Sequence, residues 1–495
     1  MKGTATAGEK ARRRERPRAA PALRFPRLSG DRLRTVALLG SGLLQKGLSF
    51  LMLPVYTRVM SPGEFGVVGY GTALLLMVTM LATLQLPSAA NRFVIEAQTP
   101  GERRRLVGTL LGTTAVVSGV VAAGLAVLGP ALAPAGLREA GNLHRVFLLL
   151  GAALFTRAPA TVLAAAGLAR KRHGLVSRAE AAEEVVKHAL LVAMMLGGVL
   201  TASTYFAGLL AGALVLLVML AWGLRDDIRP QWSPGVARTS LAFALPWVLH
   251  SAAYNGIHYL DRLLLAPLVS AGDLGRYHLA YSVAFAPFAV VMIAVRAWQP
   301  LALIGFQRGT PAVYRAMSEV VAQGGLLLAL LLVGVLPHAY PYLFGAEYQL
   351  IPGLLGVLVA SELLYLVYTA SALPLGYYKK HGILPAVTGV SLAVNAAGVL
   401  LLAPRMGILG AAFATLLAFL VMGLGTGIAA HRRTGESIRP GTAVWLVCGS
   451  LLVMGMDRAA SPWLALAALP VAAWLAVRLR GSLRSFFAAA HAAGA

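Results

Sequence analysis

Apolar residues fill this chain in runs of about 20, each long enough as a helix to span roughly 30 Å of hydrocarbon. Short stretches rich in Arg, Lys, Gly and Pro separate them. The runs lack the polar face that a helix packed on a soluble core keeps toward water. They predict fourteen spans, at 35–56, 66–87, 106–129, 146–168, 181–200, 203–223, 239–260, 275–296, 315–337, 349–372, 382–403, 406–430, 441–457 and 461–479. The fifth, opening with "AEAAEEVVKHA", and the thirteenth are the least marked. The expected class is an all-α integral membrane protein.

Composition agrees: of 495 residues 58% are hydrophobic and 13% charged, with a mean hydropathy of +0.73. Soluble domains run nearer 45–50% apolar and about 25% charged. Charge placement then sets the orientation. Eleven basic residues crowd the first 34, including "ARRRERPR", which reads as a cytoplasmic tail drawn to anionic lipid and not as a nucleic-acid arm. Most of the 43 Lys and Arg fall in the termini and in the loops after even-numbered spans, such as "ARKRHGLVSR" and "HRRTGESIRP". The positive-inside rule therefore places both ends in the cytoplasm. No secretory signal peptide is expected.

Several chemistries drop out. One cysteine, Cys448, excludes an intramolecular disulfide and a cysteine metal site. The ten histidines show no HExxH spacing, and no GxxxxGK[ST] phosphate loop occurs. No metal or cofactor is expected. Loops between spans reach only about 20 residues, too little for the catalytic segment with paired carboxylates that a membrane polymerase or ligase carries. The expectation is a non-enzyme.

The polar turns contain an echo. "SPGEFG" at 61–66 precedes the second span and "SAGDLG" at 270–275 precedes the eighth. Six spans separate them, so both copies face the same way. The chain then divides into a basic tail 1–34, a six-helix lobe 35–223, a parallel six-helix lobe 239–430, an added pair 441–479 and a tail 480–495. Parallel repeats meeting at a midplane cavity are a recurrent transporter design. Ser caps the coming helix, the acid sits in its first turn, and Gly63, Gly66, Gly272 and Gly275 permit a tight entry. The turn is expected to be structural.

Around these turns, "LPVYTRVMSPGEFGVVGY" (53–70), "LPSAANRFVIEA" (86–97), "LDRLLLAPLVSAGDLGRYHLAYSV" (260–283) and "MGILGAAFATLLA" (406–418) resemble the Wzx-type polysaccharide flippases. These belong to the multidrug/oligosaccharidyl-lipid/polysaccharide exporter superfamily. The resemblance runs from about residue 34 to 479. It implies two lobes facing alternately inward and outward, a fold like that of MATE transporters, and residence in the cytoplasmic membrane. It also implies a cargo, a polyprenyl-pyrophosphate-linked oligosaccharide for cell-surface polysaccharide, and neighbours among membrane lipids and polysaccharide polymerase or assembly proteins. Related alternatives are a lipid II flippase and a cation-coupled drug exporter. A membrane-embedded polymerase or ligase and a scaffold are the alternatives from other classes.

Ionisable residues inside spans cost about 2.5–3.5 kcal/mol on insertion scales, which makes them functional candidates. Lys46 in "LLQKGLSF" and Arg157 in "LFTRAPA" lie centrally without an acid in helical reach. Each needs a partner from another helix or an anionic ligand, and a pyrophosphate would serve. Lys187 is expected to be neutralised by Glu183 and Glu184. Arg58 and Arg92, near span ends, either guide the head group or snorkel to the interface. For ion coupling the candidates are Glu362 in "VASELLYLVY", His250 and Asp261; the alternatives are a Glu362 held neutral or paired with Lys46 or Arg157, a hydrogen-bonded packing role for His250, and a local cap or pair for Asp261 beside Arg262. Tyr254, Asn255, Tyr259, Tyr365 and Tyr368 would suit sugar hydroxyls if they face inward.

Overall fold

The computed structural model describes residues 47–229, 231–459 and 462–492, and every regular element among them is helical. The first half contains α1 (Leu53–Val59), α2 (Pro62–Thr83), α3 (Leu86–Glu96), α4 (Pro100–Leu132), the short α5 (Ala135–Arg138), α6 (Leu143–Ala169), α7 (His173–Leu196) and α8 (Ala202–Gly223). The second holds α9 (Pro234–Leu265), α10 (Ala271–Gln307), α11 (Ala312–Leu343), α12 (Leu354–Tyr377), α13 (Leu384–Met406) and α14 (Ile408–Thr434). Then come α15 (Pro440–Ala459) and α16 (Pro462–Ala492). Each predicted span from the third to the fourteenth coincides with one helix, within about two turns, except that the helices at Ala271–Gln307 and Pro462–Ala492 run three turns or more past the predicted ends at 296 and 479. The first lies only partly among the described residues.

Ten of the described helices are long and apolar enough to cross a membrane: α2, α4, α6, α8 and α10 through α15. α7 is not among them, because Glu180, Glu183, Glu184 and Lys187 interrupt it. The second predicted span needs correction. It ends at Thr83, where Leu84 (φ 48°) and Gln85 (φ 55°) turn left-handed, and α3 starts a new direction at Leu86. Hydrophobicity runs straight through this break and cannot reveal it.

Helix starts follow their caps. Ser61 Oγ accepts from the Glu64 N–H and Ser270 Oγ from the Asp273 N–H, so both copies of the echo are true N-caps. The echo also has a tertiary meaning. A Cβ on Gly66 would lie 2.1 Å from the Ala271 carbonyl oxygen, and one on Gly275 1.9 Å from that of Pro62. Pro62 and Ala271 are equivalent positions of the two copies, as are Gly66 and Gly275. The first turns of α2 and α10 therefore meet backbone to backbone about a local two-fold axis. Gly63 and Gly272 do not share that need, since a Cβ there would find only ordinary contacts, at 3.4 and 3.7 Å.

Within the first half, α6 packs against α3, α4 and α8, and α7 against α8. In the second, α14 packs on α12 and α13, while α15 and α16 cover α12 and α11. The halves meet chiefly where α2 contacts α9 and α10. α12 is the most enclosed element, with every residue from Leu354 to Tyr368 buried. A helix surrounded by protein on all sides has no polar stripe to reveal its neighbours.

Candidate functional site

Three groups of polar residues stand out, one in the first half and two in the second. The first is built on α7, where Glu183, Glu184, Lys187 and His188 are all buried. Arg157, from α6, forms an ion pair with Glu183. Lys187 Nζ lies 2.5 Å from Glu184 Oε2, and His188 Nε2 lies 3.3 Å from the same oxygen. The Tyr56 hydroxyl of α1 is 2.8 Å from His188 Nδ1. Arg157 thus has its partner on a neighbouring helix, the first of the two alternatives left open for it. Lys187 is neutralised as expected, by Glu184. Glu183 turns to Arg157 instead. Lys46 lies outside the described residues.

Neither candidate guide lines the cavities at α9–α12 or at α11, α15 and α16. Arg58 ends α1 with its guanidinium on the Tyr342 carbonyl. Arg92 Nε bonds Glu96 Oε1 at 2.9 Å, and its guanidinium stacks 4.9 Å from the Phe243 ring. Both are exposed, in keeping with an interfacial role.

The second group joins α9, α10 and α12. Asp261, expected near the end of a span, is instead fully buried, because α9 continues to Leu265. Its Oδ2 accepts from the Tyr277 hydroxyl at 2.5 Å and its Oδ1 from the Arg262 N–H at 2.7 Å. The Arg262 guanidinium lies 3.3 Å from Oδ1 and 4.0 Å from the Tyr281 ring. Glu362, 1% exposed, has Tyr281 and Arg262 as polar neighbours, yet its Oε2 has no hydrogen-bond partner among the described residues. It does not reach Arg157, which is held by Glu183. The His250 side chain lies outside the description. Among the described residues no cluster of His, Cys, Asp or Glu could hold a metal ion.

The third group lines a cavity of about 610 Å³ framed by α9, α10, α11 and α12. Tyr254, Tyr365 and Tyr368 form one wall. Tyr254 and Tyr365 share a hydroxyl hydrogen bond, and Tyr365 and Tyr368 stack with centroids 5.8 Å apart. These three meet as the sugar-site expectation required. The other two do not join them: Asn255 donates to the Ser251 carbonyl at 2.8 Å, and Tyr259 stacks near Arg262. The cavity also contains Arg296 and Gln299, on successive turns of α10. Sequence reasoning passed over both, because they fall where the eighth span was expected to end. The signal was available as a cation, in "VRAWQP", with no acid within a helical turn.

The cavity lies toward the C-terminal ends of α10 and α12. Along α10, Gln299 is 24 residues from Gly275, or about 36 Å at 1.5 Å per residue. The close α2–α10 contact therefore lies at the opposite end of α10 from the cavity.

A family model described as "Polysaccharide biosynthesis protein" matches residues 34–303. Among solved structures, the chain is similar to the lipid II flippase MurJ in an inward closed conformation, with a TM-score of 0.69 and 10% identity over 90% of this chain and 98% of that one. It is also similar to a variant of the MATE transporter VcmN of Vibrio cholerae (TM-score 0.57, 17% identity, 81% and 95% covered). A multidrug resistance MATE family transporter of the MOP superfamily, facing inward, gives 0.56 at 13% identity, with 81% and 98% covered. At these identities the likeness is one of fold. No curated protein matches the chain.

Proposed function

The chain belongs to the polysaccharide biosynthesis protein family, and from that premise we propose that it is a flippase moving a polyprenyl-pyrophosphate-linked oligosaccharide across the cytoplasmic membrane. The observation that carries this reading is the pairing of Arg296 with the Tyr254, Tyr365 and Tyr368 wall in one 610 Å³ cavity. A guanidinium fork suits phosphate oxygens, and tyrosine rings with hydroxyls suit the faces and edges of sugars. The polyprenyl tail stays in lipid while the head crosses.

Arg296 is the one charged side chain among the lining residues. A cationic drug would be repelled by it, which disfavours the drug-exporter alternative. With Arg157 paired to Glu183 and Lys187 to Glu184, the anion-binding role assigned to Arg157 passes to Arg296. Transport alternates access: the cavity loads from the cytoplasmic side while Gly66 and Gly275 hold the far end closed, and the reverse state separates that contact. Glu362 supplies the coupling group, because its unsatisfied carboxylate oxygen is ready to take a proton or a cation.

The test is a reconstituted flipping assay with a short fluorescent oligosaccharide on polyprenyl pyrophosphate. The unmodified chain should move it, and Arg296→Gln should weaken cargo binding roughly tenfold to a hundredfold, the value of one charge-assisted hydrogen bond. Absence of flipping by the unmodified chain would overturn the function. Full activity in Arg296→Gln would remove that residue from the site.

A further inference from the structure

A second concavity, of about 350 Å³, lies between α11, α15 and α16 and shares no lining residue with the cargo cavity. We propose that it binds the head group of an anionic glycerophospholipid of the surrounding membrane, a fixed lipid distinct from the cargo. Its floor is apolar, with Leu326, Leu446 and Leu475 all buried. Its rim is aromatic and cationic. Trp445 and Trp474 are in contact, tilted at 38° with centroids 5.0 Å apart, and the Arg478 guanidinium lies 4.7 Å over the Trp474 ring. Arg439, just before α15, pairs with Glu319 of α11.

Three features select the ligand. First, both indoles remain partly exposed, at 50% and 38%, and exposed Val444 and Val477 flank them. Tryptophan with a polar tip and an apolar neighbourhood belongs at head-group depth, so the groove faces lipid. Second, Arg439, Arg478 and Glu319 sum to one positive charge. That balances a single phosphodiester, whereas the pyrophosphate of the cargo would leave a negative charge uncompensated and a zwitterionic lipid would leave the positive one. Third, Gln323 Oε1 is buried in this groove without a hydrogen-bond partner among the described residues. An acceptor in that position calls for a donor on the ligand, which a glycerol head group provides through its hydroxyls. The acyl chains then run over the leucine floor between α11 and α15.

Nanodiscs holding the full chain test this through its own tryptophans, with lipids brominated on the acyl chains as quenchers. Brominated phosphatidylglycerol should quench more than brominated phosphatidylcholine at equal mole fraction, and the excess should vanish in Trp445→Phe/Trp474→Phe. Arg439→Gln/Arg478→Gln should cut the preference for phosphatidylglycerol about tenfold. An unchanged melting temperature in detergent would show that variant to be folded. Should it not fold, Gln323→Leu replaces it, with the same preference expected to fall. Equal quenching by both lipids in the unmodified chain would overturn the proposal. So would displacement of the brominated lipid by inorganic pyrophosphate or polyprenyl pyrophosphate, which would mark a general anion site or a cargo site.

Discussion

The buried charges of the two halves are arranged on different terms. On α7, Glu183 and Glu184 each face a cation, Arg157 and Lys187, and the pairs bind α7 internally and to α6. On α9 and α12, Asp261 is satisfied by Tyr277 and Arg262, while Glu362, a helix away, keeps an oxygen without a hydrogen-bond partner among the described residues. A closed set of ion pairs resists change, because moving either member exposes a buried charge. An unsatisfied carboxylate has a reason to change state when water, a proton or a cation arrives. The first cluster therefore reads as a brace and the second as the part able to respond.

The comparison breaks most visibly at Arg157. Arg157→Met leaves Glu183 buried without a counter-charge and should cost about 3–5 kcal/mol, seen as a large fall in detergent melting temperature. Adding Glu183→Met should recover most of that loss. If the single variant melts like the parent, the brace does not exist.

Comparable in size is Asp261→Asn, which weakens the bond from Tyr277 and leaves Arg262 buried without its counter-charge, and should cost about 3 kcal/mol by thermal unfolding. The α2–α10 contact between the halves comes in at a similar or smaller level. Gly275→Ala places a methyl on the Pro62 carbonyl and should cost about 1–3 kcal/mol. Gly272→Ala should change melting by less than about 0.5 kcal/mol. Equal effects at 272 and 275 would show that this backbone contact does not form.

Among the buried charges, Glu362→Gln has the smallest expected effect on stability, within about 1 kcal/mol, because it removes a carboxylate that lacks full satisfaction. Its effect should fall on transport. Measured in vesicles under an imposed pH or sodium gradient, the variant should lose the gradient dependence while downhill exchange persists. A full response to the gradient would leave both clusters as braces.

Much of this protein was decided along the chain itself. Length and apolarity mark the spans because lipid leaves a backbone no other way to satisfy its hydrogen bonds. Ser61 and Ser270 cap their helices through bonds that reach only three residues. Lys187 finds Glu184 one turn away for the same reason. These are local forces, and a local pattern records them. The partner of Arg157, the break at Leu84 and Gln85, and the meeting of Arg296 with Tyr254, Tyr365 and Tyr368 belong to the tertiary structure alone. In a helix such as α12, apolar around its whole circumference, no periodicity tells which side chain faces a cavity. That choice is made by neighbouring helices arriving from far along the chain, and the glycines at 66 and 275 are where two of them come close enough to touch.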